Sequence, residues 1–215
     1  MMKKRVAVLI SGRGSNMSAL IGACKDPAYP AEIVAVISNK PDAAGLEVAR
    51  SHGIEAIAVP QKDHPTRTAH EDAISAELSR IAPDVICLAG YMRLMSAEFV
   101  ARWEGRMINI HPSLLPLFKG LDSHARVLES GMRVHGCTVH FVTAEMDGGP
   151  IIAQGVVPVK PDDTEETLSA RVLTVEHKLY PLALRLVAEG KVWMKDGRIV
   201  YSGLGEDDRT ALSAF

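Results

Sequence analysis

Charge of one sign is not in excess in this 215-residue chain: 24 Lys and Arg stand against 26 Asp and Glu, a formal net charge of −2. That balance argues against a broad nucleic-acid or membrane-surface partner held by bulk charge, and it favours a small ligand met in a local site. Cysteine is scarce as well. Cys24, Cys87 and Cys137 are odd in number and lack metal-ligand spacing, so they build no disulfide framework and read as buried thiols of a reducing compartment. No apolar run approaches the roughly 20 residues that cross a bilayer. The basic start Met1-Met2-Lys3-Lys4-Arg5 leads into an apolar stretch, Val6 to Ile10, that is too short for a signal peptide, and a cytoplasmic location is expected. Repeats, low-complexity segments and linkers are missing. What remains is ordinary, with 47% hydrophobic, 23% charged and 5% aromatic residues, close to globular averages. A chain of this length buries roughly 70% of its unfolded surface, enough for one core. One domain over residues 1–203 is expected, with an aperiodic, loose tail over 204–215.

The first two thirds alternate short apolar runs with helical patterns. Arg5 to Ile10 reads as a strand buried on both faces. Ser15 then reads as an N-cap, and Met17, Leu20, Ile21 and Cys24 share a helix face. Strands follow at Glu32 to Ser38, Ile54 to Val59, Asp84 to Leu88 and Met107 to Ile110. Helices are expected at Ala43 to His52, Thr66 to Ile81 and Ser96 to Trp103. This alternation predicts an α/β fold with a doubly wound, mostly parallel sheet. Gly136 to Val142 and Ile151 to Val159 read as a closing antiparallel pair. A long helix capped by Thr164 carries the stripe Leu168, Val172, Val175, Leu179, Leu182 and Leu186, and Tyr180-Pro181 is expected to kink or split it. Lys191 to Tyr201 reads as a C-terminal hairpin turning at Asp196-Gly197.

Ligands of open parallel sheets sit beyond the carboxyl ends of the strands. The first such end is Ser11-Gly12-Arg13-Gly14-Ser15-Asn16-Met17, where glycines allow tight turning and a helix N-terminus suits a phosphate. A dinucleotide fingerprint is disfavoured, since Met17 occupies the third glycine position and Ser38-Asn39-Lys40 lacks the ribose-binding acid. That weakens the reading as a dinucleotide-binding oxidoreductase. No G-x-S-x-G elbow is present, which argues against a serine hydrolase of that type. The fifth strand ends Asn109-Ile110-His111-Pro112. Asn109 and His111 are two apart and point to one side, offering an amide donor and a proton near neutral pH that together suit an oxyanion. Asp147, in Glu145-Met146-Asp147-Gly148-Gly149-Pro150, is placed by flanking glycines to approach His111; read alone, the same loop is a plain hairpin turn. His135 and His140 read as packed strand residues rather than metal ligands. His52, His64 and His70 read as surface or helix-end residues.

Asn109-Ile-His111-Pro-Ser-Leu-Leu-Pro116 followed by Asp147-Gly-Gly-Pro150 resembles the signature of the formyltetrahydrofolate-dependent formyltransferases. Gly14-Ser15-Asn16 resembles the branch that acts on glycinamide ribonucleotide, and the similarity runs from about Lys4 to about Gly203. The resemblance implies a Rossmann-like formyltransferase fold and formyl transfer from 10-formyltetrahydrofolate, as co-substrate, in purine synthesis, without a metal. It implies that Gly14, Ser15, Asn16 and Met17 hold the substrate phosphate and that Glu176 lies at the glycinamide end. Arg67 would meet the folate tail, and Met92, Arg93, Leu94 and Met95 would line the pterin pocket. Asn109 would bind the formyl group, His111 would donate a proton, and Asp147 would keep His111 protonated. Leu115-Pro116 is expected to be cis. Lys119 replaces a common proline and Asp122 a histidine found in certain relatives, which puts ribose-side contacts in question. The partners implied are small molecules, with neither nucleic acid nor membrane, in a monomer or homodimer. A methionyl-tRNA formyltransferase is expected to need about a hundred further residues, and a formyltetrahydrofolate hydrolase an extra N-terminal domain. A sugar-nucleotide formyltransferase and a non-catalytic folate or phosphosugar binding protein are the remaining alternatives.

Overall fold

The computed structural model describes residues 2–205. The expected loose tail lies almost wholly outside them. In chain order the elements are β1 (Lys4–Ile10), α1 (Ser15–Cys24), β2 (Ala31–Ser38), α2 (Ala44–Ser51), β3 (Glu55–Ala58), α3 (Arg67–Ile81), β4 (Val85–Leu88), α4 (Ala97–Arg102), β5 (Met107–His111), α5 (Ser123–Ser130), β6 (Val134–Phe141), β7 (Ile151–Pro158), α6 (Glu165–Ala188), β8 (Val192–Lys195) and β9 (Arg198–Tyr201). Strands in the order β3-β2-β1-β4-β5-β6-β7 form a seven-stranded, mostly parallel sheet, and β8-β9 is a separate antiparallel hairpin. The chain divides into two compact units, Met1–Ile108 and Asn109–Phe215.

In the first unit β1 runs parallel to β2 and β4, and β2 parallel to β3. Parallel neighbours need crossovers long enough for a helix, which is why strand and helix alternate here. Val6 to Ile10 are fully buried, the burial on both faces that a continuous apolar strand implies. The α1 cap differs from expectation. Gly14, at φ 71°, is the N-cap and gives no side-chain bond, so Ser15 is the first helical residue. His70 is also not a surface residue. It is 1% exposed, and its Nε2 bonds the Val59 carbonyl at 2.8 Å. Cys24 is half-buried, whereas Cys87 and Cys137 are buried.

In the second unit β6 and β7 pair antiparallel, Gly136 opposite Val156 and Cys137 opposite Gly155, and α6 packs on both strands. Thr164 caps α6 through a capping box with Thr167, and Arg171 grips both oxygens of Asp163 at 2.6 and 2.7 Å. The helix is not split at Pro181 and runs unbroken to Ala188. An interior proline costs about 3 kcal/mol, and burying a large apolar side chain contributes about 1.5–3 kcal/mol. Leu179, Tyr180, Leu184 and Leu186, all at 0% exposure, lie within five residues of it along the helix, and their burial outweighs that cost. Beyond the proline the buried face takes in Ala183 and Leu184 and leaves Leu182 half-buried. Helix α5 has no counterpart in the sequence reading. It buries only Ser123 and Val127, too few apolar positions to show a period.

Gly136 is required by close approach: a Cβ there would collide with the Gly155 carbonyl oxygen and meet Leu114 Cδ2 at 2.9 Å. Gly136→Ala is expected to force the β6–β7 pair apart and to cost about 2–3 kcal/mol, as overpacking does. Urea unfolding of wild type and variant measures the difference.

Candidate active site

The first unit carries two groups of expected ligand residues. At the end of β1, Gly14 turns the chain into α1 without a side-chain cap. The amides of Ser15, Asn16 and Met17 precede the first helical bond, which Ser18 N–H makes to Gly14 O at 2.9 Å. A helix N-terminus of this kind attracts anions. Gly12 is exposed and a Cβ there would meet nothing within 4 Å, so its glycine is not sterically required. The second group follows β4. Met92 and Leu94 are 62% and 65% exposed, Arg93 Nη1 donates to Gln61 Oε1, and Arg67 Nε lies 3.5 Å from Glu71 Oε1.

The second unit gathers the catalytic candidates. Period-two geometry along β5 alternates Asn109 and His111 with Ile108 and Ile110. His111 is 7% exposed and Ile108 and Ile110 are buried. His111 Nε2 donates to the Phe118 carbonyl at 3.0 Å, and its Nδ1 stands 3.5 Å from Asp147 Oδ2. Two acceptors therefore face the two ring nitrogens. Asp147 sits at φ 50°, a left-handed conformation that Asp tolerates better than most residues, and its Oδ2 accepts from Gly120 N–H at 2.9 Å. Asp147 therefore faces His111 as well as forming a turn. Lys119 pairs with Glu145 at 2.6 Å, and Asp122, at φ 56°, is the N-cap of α5. Leu115-Pro116 is cis, as expected.

One member of this cluster has only the sequence signature of a packed strand residue. His140, 2% exposed, donates from Nδ1 to the Phe141 carbonyl at 2.9 Å. That bond fixes the tautomer, so Nε2 is the acceptor and receives an N–H of Asn109 Nδ2 at 3.2 Å. Burial is the main cause that lowers the His140 pKa, and it keeps the ring neutral. The Asn109 amide is thereby oriented, with its second N–H left for a ligand. Nothing in sequence signals this link, because the residues lie 31 apart and meet only through strand packing. His124 and His135 form a second histidine pair, Nδ1 to Nε2 at 3.1 Å. Glu176 is 7% exposed on α6. Burial first, and then the Glu176 charge, push the Cys137 thiol up. Among the described residues no group of three or more His, Cys, Asp or Glu is placed to hold a metal ion, and no helix is long and apolar enough to cross a membrane.

An amide donor, a proton carrier and a carboxylate gathered at a strand end suit acyl-type group transfer through an oxyanion. The comparisons agree. A family model described as formyl transferase matches residues 4–184, and the chain belongs to that family. Within the family it groups with the phosphoribosylglycinamide formyltransferases. It is 44% identical to the one from Escherichia coli (strain K12) over 210 residues, 94% of this chain and 99% of that protein. A solved phosphoribosylglycinamide formyltransferase from Coxiella burnetii matches at TM-score 0.91 and 40% identity over 99% of each chain. The chain is also 52% identical over 200 residues, 93% of its length, to the trifunctional purine biosynthetic protein adenosine-3 of Bos taurus, of which it spans 20%.

The histidine pair gives a pH prediction. Burial, then repulsion from His124 and His111, pushes the His135 imidazole from 6.5 down to about 4. The fold therefore favours the neutral ring, and the stability this provides is complete above pH 6.5 and lost as pH falls toward about 4. Thermal melts are expected to drop across that window in wild type and to flatten in His135→Gln. Equal slopes in the two proteins would assign the acid sensitivity to another group.

Proposed function

We propose that the chain transfers the formyl group of 10-formyltetrahydrofolate to the primary amine of glycinamide ribonucleotide, giving the formylated amide and tetrahydrofolate. The observation that carries this reading is the set of buried His111 and His140 with half-buried Asn109 and Asp147, in which Asn109 meets His140 at 3.2 Å and His111 stands 3.5 Å from Asp147. It supplies an oriented donor and a charged imidazole for an oxyanion. The neutral amine attacks the formyl carbon, and the carbonyl electron pair moves onto oxygen. The free N–H of Asn109 and the His111 imidazolium stabilise that oxyanion. Asp147 steadies the imidazolium and assists transfer of the proton from the attacking amine to the departing folate nitrogen. The carbon–nitrogen bond to folate then breaks as the carbonyl re-forms. Reaching the formyl oxygen requires His111 Nε2 to exchange the Phe118 carbonyl for the substrate.

The remaining roles follow the same reading. The amides of Ser15, Asn16 and Met17, after Gly14, hold the substrate phosphate, and Glu176 meets the glycinamide end. Arg67 meets the carboxylate tail of folate, and Met92, Arg93, Leu94 and Met95 line the pterin pocket. Backbone amides and one arginine serve the anionic groups, so no broad basic surface is needed. The two compact units act as one formyltransferase domain.

Losing one oxyanion donor costs on the order of 10²–10³ in rate. Asn109→Ala and His111→Ala are each expected to fold and to lose at least that much turnover. Deformylation of 10-formyltetrahydrofolate, followed by absorbance with glycinamide ribonucleotide, with methionyl-tRNA and without acceptor, tests the reading. Turnover without acceptor would indicate a hydrolase, and turnover only with methionyl-tRNA a different transferase. In the same assay His140→Phe is expected to lower kcat by up to about 10², the effect of a misaligned group, with KM nearly unchanged. An unchanged kcat would remove His140 from the site.

A further inference from the structure

Helix α3 buries one carboxylate among polar neighbours. Glu71 is 6% exposed. Its Oε1 accepts the Ser96 backbone N–H at 2.8 Å and lies 3.5 Å from Arg67 Nε, one helical turn back. Its Oε2 accepts the Ser96 hydroxyl. Ser96 is in turn the N-cap of α4, its Oγ accepting from Phe99 N–H at 3.1 Å. Glu71 thus closes the N-terminus of a helix that belongs to another element, where a negative charge is favoured.

The segment that ends at Ser96 has neither helix nor strand to fix it. Residues 90–95 are held at three places. Gly90 O accepts from Ser11 N–H at 3.1 Å, and Met92 N–H donates to Ser11 Oγ at 2.9 Å. Arg93 reaches Gln61 at the middle, and Glu71 takes the far end. Met92 and Leu94 project from this segment and are largely exposed. The contact to Arg67 uses Nε, which restrains the guanidinium and leaves its terminal N–H groups for a carboxylate ligand.

We propose that Glu71 is a positioning residue for formyl-folate recognition, acting through Ser96 on residues 91–95 and through Nε on Arg67. The inference rests on the reading of Arg67 and residues 92–95 as the folate-contacting groups. One carboxylate then sets both the apolar segment for the ring system and the cation for the acidic tail. A ligand group held by a loose support loses binding even when every contacting residue is present. The exposed Asp72–Arg102 ion pair, 2.8 Å, also links α3 to α4 but touches neither Arg67 nor Ser96, so it serves as the control.

Steady-state rates are measured with 10-formyltetrahydrofolate and glycinamide ribonucleotide varied in turn. Glu71→Gln places an amide N–H where an acceptor is needed. It is expected to raise KM for the folate about tenfold, with kcat and KM for the ribonucleotide within about twofold, as loss of uniform binding does. Ser96→Ala, which keeps the backbone bond to Glu71, is expected to shift the folate KM in the same sense by a smaller factor and covers the case in which Glu71→Gln does not fold. Asp72→Asn is expected to leave both KM values unchanged. A folate KM within twofold of wild type in every folded variant of Glu71 and Ser96 would overturn the proposal, whatever happens to Tm. A wild-type protein that does not turn over the formyl folate would instead overturn the functional reading, before any variant is compared.

Discussion

The antiparallel pairing of β6 with β7 governs where the catalytic candidates stand. At two points the backbones come so close that only glycine fits. A Cβ on Gly136 would strike the Gly155 carbonyl, and one on Gly149 the Phe141 carbonyl. The first contact holds the middle of the pair together. The second fixes how the chain leaves β6 and returns as β7, and so fixes the loop that carries Asp147. With the loop pinned, the Asp147 carboxylate faces His111, His140 and the Gly120 amide. A strand pair one residue out of register would turn His140 to the other face and remove the partner of Asn109.

Burial explains why these groups are paired so completely. A polar side chain taken out of water loses free energy unless it regains a hydrogen bond, and each buried group of the cluster has one or more partners. The hydrogen bond from His140 to the Phe141 carbonyl is local, yet it decides the state of a distant group. It leaves Nε2 as an acceptor, and an acceptor can receive only the nitrogen side of the Asn109 amide. Similar logic runs through Thr138, whose Oγ1 donates to the Ser113 carbonyl at 2.7 Å and accepts from Leu115 N–H at 3.0 Å. It ties the Pro112 to Phe118 segment to the same strand pair that sets Asp147. The carbonyl of Phe118, which meets His111, is therefore positioned by bonds made several residues away.

Membership of the formyl transferase family accounts for the Asn109-Ile-His111 and Asp147-Gly-Gly motifs, and the geometry gives each a physical reason. Asn109 and His111 are two apart because a strand presents alternate residues to one side. The paired glycines after Asp147 free the backbone at a close crossing. The departures are accommodated without disturbing this arrangement. Lys119 finds Glu145 in the Asp147 loop, and Asp122 adopts the left-handed conformation that begins α5.

Local pattern alone was enough for the alternation of strands and helices, the cap at Thr164, the hairpin turn at Asp196-Gly197 and the shared side of Asn109 and His111. Each is decided by residues a few positions apart, through period, capping or turn chemistry. The chain could not announce α5, which buries too few apolar residues to show a period, or the continuity of α6 through Pro181, which depends on what packs around it. Ser15 has the chemistry of a cap, and only the backbone angle of Gly14 reveals where α1 begins. His140 as the partner of Asn109, His70 as a core residue and Glu71 as the clasp on Ser96 were likewise hidden. Those contacts join residues 11 to 31 positions apart, and only folding brings such groups within hydrogen-bond range. Sequence by itself therefore determined most of the elements and named Asn109, His111 and Asp147. Tertiary structure decided which of them share protons and which backbone groups hold them in place, because hydrogen bonds depend on distances that no local pattern encodes.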